Sequence, residues 1–254
     1  MNDALAIYVG LLLARVGAFI AVMPPFAART PRSARAALVV AITAFYLGTA
    51  PPTWDSEFSQ QVANAHPLLY GLALVREAFI GAAMGFMFAL FLLPARIAGE
   101  FITQQMGLNA AMLPSPSGQD PSGALTQIFE TLAALLFLVI DGHHIVIALL
   151  HASFVKLPLG GSTVPQAAPM LAGLSSAYEM GLLLAGPMAL CLFLLAVLLA
   201  VMARTAPQLN VYSVGFTLQV TVALVGGLFL MPEMVRFMLV ALGQTGDIIG
   251  RTMN

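Results

Sequence analysis

The sequence predicts an all-α integral membrane protein, with about six long apolar helices arranged as kinked hairpins and a polar loop containing Gly and Pro after the third. Three observations carry this expectation. Hydrophobic residues make up 60% of the chain and charged residues only 8%, against about 25% charged in an ordinary soluble domain. Apolar runs of roughly 20 residues recur, the length at which a helix rising about 1.5 Å per residue crosses about 30 Å of hydrocarbon. The 22 Gly and 16 Pro are spread through those runs, and both are more frequent in membrane helices than in soluble ones. A net charge of −1 gives no basic footprint for nucleic acid, and no nucleic-acid-binding motif accompanies it. Residues 1–254 read as one membrane domain.

The first run, Ala4 to Met23, has acidic rather than basic flanking residues and carries Arg15 at its middle, so it reads as a retained span rather than a signal peptide. A central Arg costs about 2.5–3.5 kcal/mol on insertion scales and must face protein rather than lipid. Pro24 and Pro25 close the run, and FAARTPRSAR then brings Arg29, Arg32 and Arg35 with no acid, which marks a cytoplasmic loop and leaves the amino terminus outside. A shorter run, Ala34 to Ala50, ends at Pro51 and Pro52; the following loop holds Asp55 and Glu57 without Lys or Arg, as an external loop should. The third run, Leu68 to Leu93, contains Arg76 and Glu77, which point about 100° apart on a helix and are expected to seek partners elsewhere. Its GAAMG segment, Gly81 to Gly85, is a small-xxx-small pattern that lets two helices approach closely.

From Pro94 to Gly123 the chain changes character: Arg96, Glu100, Gln104, Gln105, Asn109, Gln119 and Asp120 gather beside Gly and Pro. Irregular polar backbone at membrane depth survives only where protein covers it or water reaches it, because each unpaired amide group costs several kcal/mol in hydrocarbon. A pore, gate or binding surface is the expectation; a solvated surface loop is the alternative. Leu125 to Ile140 is the next run, with Glu130 near its start, and DGHHIVIALLH then gathers Asp141, His143, His144 and His151. Metal chemistry is weighed there and set aside, because the HExxH arrangement is absent; His144 and His151, seven apart, share a helix face and read as hydrogen-bonding groups at an interface. Ser153 to Pro169 reads as a loop, Leu171 to Met202 as a long helix kinked at Gly186 and Pro187, and Val211 to Met231 as its hairpin partner, with an amphipathic tail from Pro232. Cys191, the single cysteine, reads as a small buried side chain.

Five stretches together resemble the FliR/SctT family, export-gate subunits of type III secretion: RVGAFIAVMPPFAARTPRSAR at Arg15 to Arg35, REAFIGAAMGF at Arg76 to Phe86, ARIAGEFITQQMGLNAAMLPSPSGQDPSG at Ala95 to Gly123, ASFVKLPLGG at Ala152 to Gly161, and ARTAPQLNVYSVGFTLQV at Ala203 to Val220. The resemblance implies a channel-forming subunit in the bacterial inner membrane, within the flagellar basal body, that helps conduct unfolded export substrates. It implies FliP-type and FliQ-type gate subunits and an FlhB-type switch protein as partners beside the lipid bilayer, with no cofactor, no enzymatic activity and residues 1–254 as a single export-gate domain. It also places Met106, Gly107, Leu108, Asn109, Ala110, Ala111, Met112 and Leu113 at the pore plug, where flexible Met beside Gly can repack around varied chains. One departure stands out: Gln219 occupies the position where the family pattern carries a Lys.

On this reading Arg15, Arg76, Glu77, Glu100 and Glu130 are intramembrane charges that serve subunit packing, with part of their pairing across chain boundaries. Two alternatives stay open: a self-contained secondary transporter using Arg76, Glu77 and Glu130 as an ion relay, and an intramembrane hydrolase built on Asp141, His144 and His151.

Overall fold

The computed structural model describes residues 2–23, 30–49, 67–106, 124–161, 165–205 and 211–252. Within the described residues seven helices follow one another: α1 (Asn2–Val22), α2 (Arg32–Gly48), α3 (Pro67–Gln105), α4 (Ala124–Val139), α5 (Gly142–Lys156), α6 (Ala167–Thr205) and α7 (Val211–Thr252). The protein is an all-α membrane protein, and α1, α3, α6 and α7 are long and apolar enough to cross a bilayer. Counting α4 with α5 as one broken span gives a fifth. That falls short of the expected six because α2 has 17 residues, about 25 Å at 1.5 Å per residue, and α4 and α5 have only 16 and 15.

The long helices run further than the sequence suggested. α3 passes through Pro94 for 39 residues, so the polar stretch begins as helix, which ends at Gln105 with Met106 in a turn. A proline inside a helix removes one backbone hydrogen bond and crowds the carbonyl four residues back, and α3 accommodates both at Pro94. Past it, Arg96 and Glu100 pair at 3.0 Å one turn apart, and the Thr103 hydroxyl donates to the Gly99 carbonyl at 2.7 Å. α7 likewise continues through Pro232 as a single helix of 42 residues rather than a span followed by a separate tail.

The chain forms two compact units. The first comprises residues 1–90, 141–173 and 243–254. Its core is built on one face of α1, where Tyr8, Leu11, Leu12, Val16, Phe19 and Ile20 recur every three or four residues and pack with Tyr46 of α2, Ile80, Met84 and Phe88 of α3, and Phe154 of α5. Phe19 and Phe88 meet edge to face with centroids 5.9 Å apart. The GAAMG pattern does what such spacing permits: a Cβ on Gly81 would strike the Arg15 carbonyl oxygen, and one on Gly85 would lie 2.7 Å from that of Phe19.

The second unit comprises residues 91–140 and 174–242. Here Phe91 of α3 and Phe137 of α4 pack with centroids 5.4 Å apart. Glycines again set the approach of the helices: Gly99 faces Thr126, Gly181 faces Ile97, and Gly226 faces Met188. Cys191 is exposed rather than buried, lining an apolar cavity of about 420 Å3 with Pro187, Met188, Gly226 and Phe229. Only 28% of the α6 span and 22% of the α7 span are buried inside the chain, against 61% for α3, so lipid or other chains must cover their apolar faces.

Candidate functional site

Arg15 stands at the centre of the α1 core face with no solvent exposure, so its guanidinium requires a full set of partners. Glu77, also fully buried on α3, supplies the charge: its Oε2 lies 2.6 Å from both Nε and Nη2 of Arg15, with only the Nε contact in hydrogen-bond geometry. Nη1 of Arg15 donates to the Ser153 and Leu157 carbonyls at 3.1 and 2.9 Å. These oxygens close the C-terminal end of α5, where unsatisfied carbonyls and the helix dipole favour a cation. The Arg15 guanidinium carbon also sits 4.8 Å from the centroid of the Phe154 ring.

The other Glu77 oxygen accepts from Arg76 Nη1 at 2.8 Å and from the Gly160 backbone N–H at 3.3 Å. The expectation that Arg76 and Glu77 would not pair is therefore corrected. Their Cβ atoms diverge, but a long Arg side chain bends back across the difference. Gly160 reaches the carboxylate because its φ of 79° is open to glycine at little cost. The cluster of Arg15, Arg76 and Glu77 carries a formal +1, offset in part by the carbonyls ending α5. It fastens α1, α3, the end of α5 and the turn at Leu157 to Gly161 to one another.

Glu100 and Glu130 gather separately, in the second unit, around Arg96 at 3.0 and 3.6 Å. Their side chains are 44% and 24% exposed and that of Arg96 is 43% exposed, unusual for charges on helices that are otherwise apolar. Beside them α3 and α4 close on each other. The Thr103 and Thr126 hydroxyls lie 3.4 Å apart, and Met106 is buried with its N–H donating to the Ile102 carbonyl at 3.1 Å. Of the expected plug, only Met106 falls within the described residues; Gly107, Leu108, Asn109, Ala110, Ala111, Met112 and Leu113 lie outside them.

His144 and His151 have different neighbours. Nδ1 of His144 is 3.9 Å from Asp141 Oδ1, whereas the His151 ring stacks over Tyr46 with centroids 6.2 Å apart. The residues that sequence reasoning missed are the carbonyls of Ser153 and Leu157, the Gly160 amide, and Arg96 as the partner of two acids. Only ASFVKLPLGG, a Gly-ended turn after an apolar helix, hinted at the first three.

A family model described as "Bacterial export proteins, family 1" matches residues 6–245. Among similar proteins, the flagellar biosynthetic protein FliR of Escherichia coli K12 is 34% identical over 232 residues, covering 89% of this chain and 84% of that protein. The protein of the same name from Bacillus subtilis 168 is 27% identical over 240 residues, covering 89% and 87%. The surface presentation of antigens protein SpaR of Shigella flexneri is 25% identical over 151 residues, 59% of each chain.

Proposed function

This chain belongs to the bacterial export proteins, family 1, and from that premise we propose that it is a non-enzymatic, channel-forming subunit of a type III secretion export gate, flagellar in kind, in the bacterial inner membrane. It acts with FliP-type and FliQ-type subunits and an FlhB-type switch protein, passes unfolded export substrates, and uses residues 1–254 as one gate domain.

The supporting observation is the trio of Arg96, Glu100 and Glu130. Partly exposed charges on apolar helices cannot face lipid, so this part of α3 and α4 faces water or another chain. The same two helices hold the feet of the segment at 106–123, with Met106 and Thr126 buried. The sequence of that segment, polar and containing Met and Gly, is suited to plugging a conduit. The apolar faces of α6 and α7 are then the surfaces that sister subunits and lipid cover. A self-contained relay through Arg76, Glu77 and Glu130 is less well supported, because both Glu77 oxygens are engaged and Glu130 is held by Arg96.

Shortening the chain between Met106 and Leu113 should leave the complex assembled but leaky, giving ion flux into proteoliposomes where the unaltered complex gives none. A variant that stays tight and fails to assemble would make the segment a structural element instead.

A further inference from the structure

We propose that Asp141, His143 and His144 form a binding site for a divalent transition-metal cation, zinc by preference. One donor atom from each lies within 4.8 Å of the other two, all three side chains are exposed, and the set offers two imidazole nitrogens and one carboxylate oxygen. That is a zinc-type donor set which leaves one position for water.

Two further features single out this cluster. Asp141 has φ 56° and is the one non-glycine residue with positive φ among the described residues, at a modest conformational cost that usually has a local cause. It also occupies the N-cap of α5, where an Asp side chain ordinarily accepts from the first amides of the helix, yet it makes no such bond. Its carboxylate lies instead toward His144. The His143 and His144 rings have centroids only 4.2 Å apart, although adjacent helical side chains diverge by about 100°. Asp141 and His144 are three residues apart, a spacing that brings their side chains together at the start of α5, and the His143 ring leans onto that pair.

With metal–nitrogen distances of about 2.0–2.1 Å, tetrahedral donors sit about 3.3 Å apart. Rotations about the side-chain bonds suffice to close the cluster, since the Asp141 and His144 side chains are 73% and 71% exposed and unhindered. A bound cation would tie the left-handed turn to the first turn of α5 and stiffen the start of that helix. The site is independent of the gate reading, and its test does not involve export.

Calorimetric titration of the untagged chain, purified within its complex, with zinc chloride should show one saturable site per chain. Cobalt substitution should give the absorption bands of a tetrahedral centre. His143→Ala, His144→Ala and Asp141→Asn should each weaken zinc at least about tenfold, since loss of even an outer partner of a metal ligand costs about 10–100-fold. Asn tolerates the left-handed conformation, so the last variant separates the carboxylate from the backbone. His151→Ala should leave binding unchanged. Absence of a saturable site, or an equal loss in His151→Ala, overturns the proposal and makes any association adventitious.

Discussion

Replacing Glu77 with Gln should destabilise the protein by about 3–5 kcal/mol and abolish its assembly into a working complex, because removing the carboxylate of a buried ion pair leaves the Arg15 charge uncompensated. The carboxylate is fully buried and holds two guanidinium groups at once, Arg15 at 2.6 Å and Arg76 at 2.8 Å. Without its charge, the fully buried Arg15 guanidinium keeps only the carbonyls ending α5 and the Phe154 ring. Arg15→Met should be milder, since Glu77 then keeps Arg76 and the cluster becomes neutral, although the Leu157 carbonyl loses its donor. The double variant should recover part of the loss, with a coupling of about 0.5–3 kcal/mol. Denaturant unfolding of the detergent-purified complex measures all three. An Arg15→Met effect larger than that of Glu77→Gln would show that the carbonyls ending α5, and not the charge balance, dominate.

The second large effect is expected at Gly81. A side chain there meets the Arg15 carbonyl and the Phe19 amide, backbone atoms that cannot move aside without parting α1 from α3. Gly81→Ala should cost about 1–3 kcal/mol, as overpacking does, and Gly81→Leu should prevent folding of the first unit. Gly71 and Gly186 provide the contrast, with nothing within 4 Å of an added Cβ. Ala at either should be neutral or stabilise by up to about 1 kcal/mol, because helical glycine carries an entropic penalty without a packing benefit there. Thermal stability of the four variants side by side checks the ranking; equal losses at Gly71 and Gly81 would refute it.

Much of this was legible in the sequence where the signal is local. Hydropathy located α1, α3, α6 and α7, and the spacing of Gly81 and Gly85 marked the close approach of two helices. Charge in an apolar run flagged Arg15, Arg76 and Glu77 as residues in need of neighbours. Their pairing was not legible, since Arg15 and Glu77 lie 62 positions apart and two of the remaining partners are backbone carbonyls, which carry no residue signature. Prolines misled in the opposite direction. Pro94 and Pro232 look like terminators, but one lost hydrogen bond is outweighed where side chains on both sides of it continue the helix. Asp141 takes a left-handed conformation and α5 starts at Gly142, a detail that no pattern in the sequence marked.

Native mass spectrometry of the chain extracted from its own membrane asks most directly whether this protein is one part of a larger conduit. The chain should appear in a complex with different membrane subunits, which shelter the apolar faces of α6 and α7 and the exposed charges near Arg96. A chain that appears alone, or only with copies of itself, in membranes that still export protein would contradict that role.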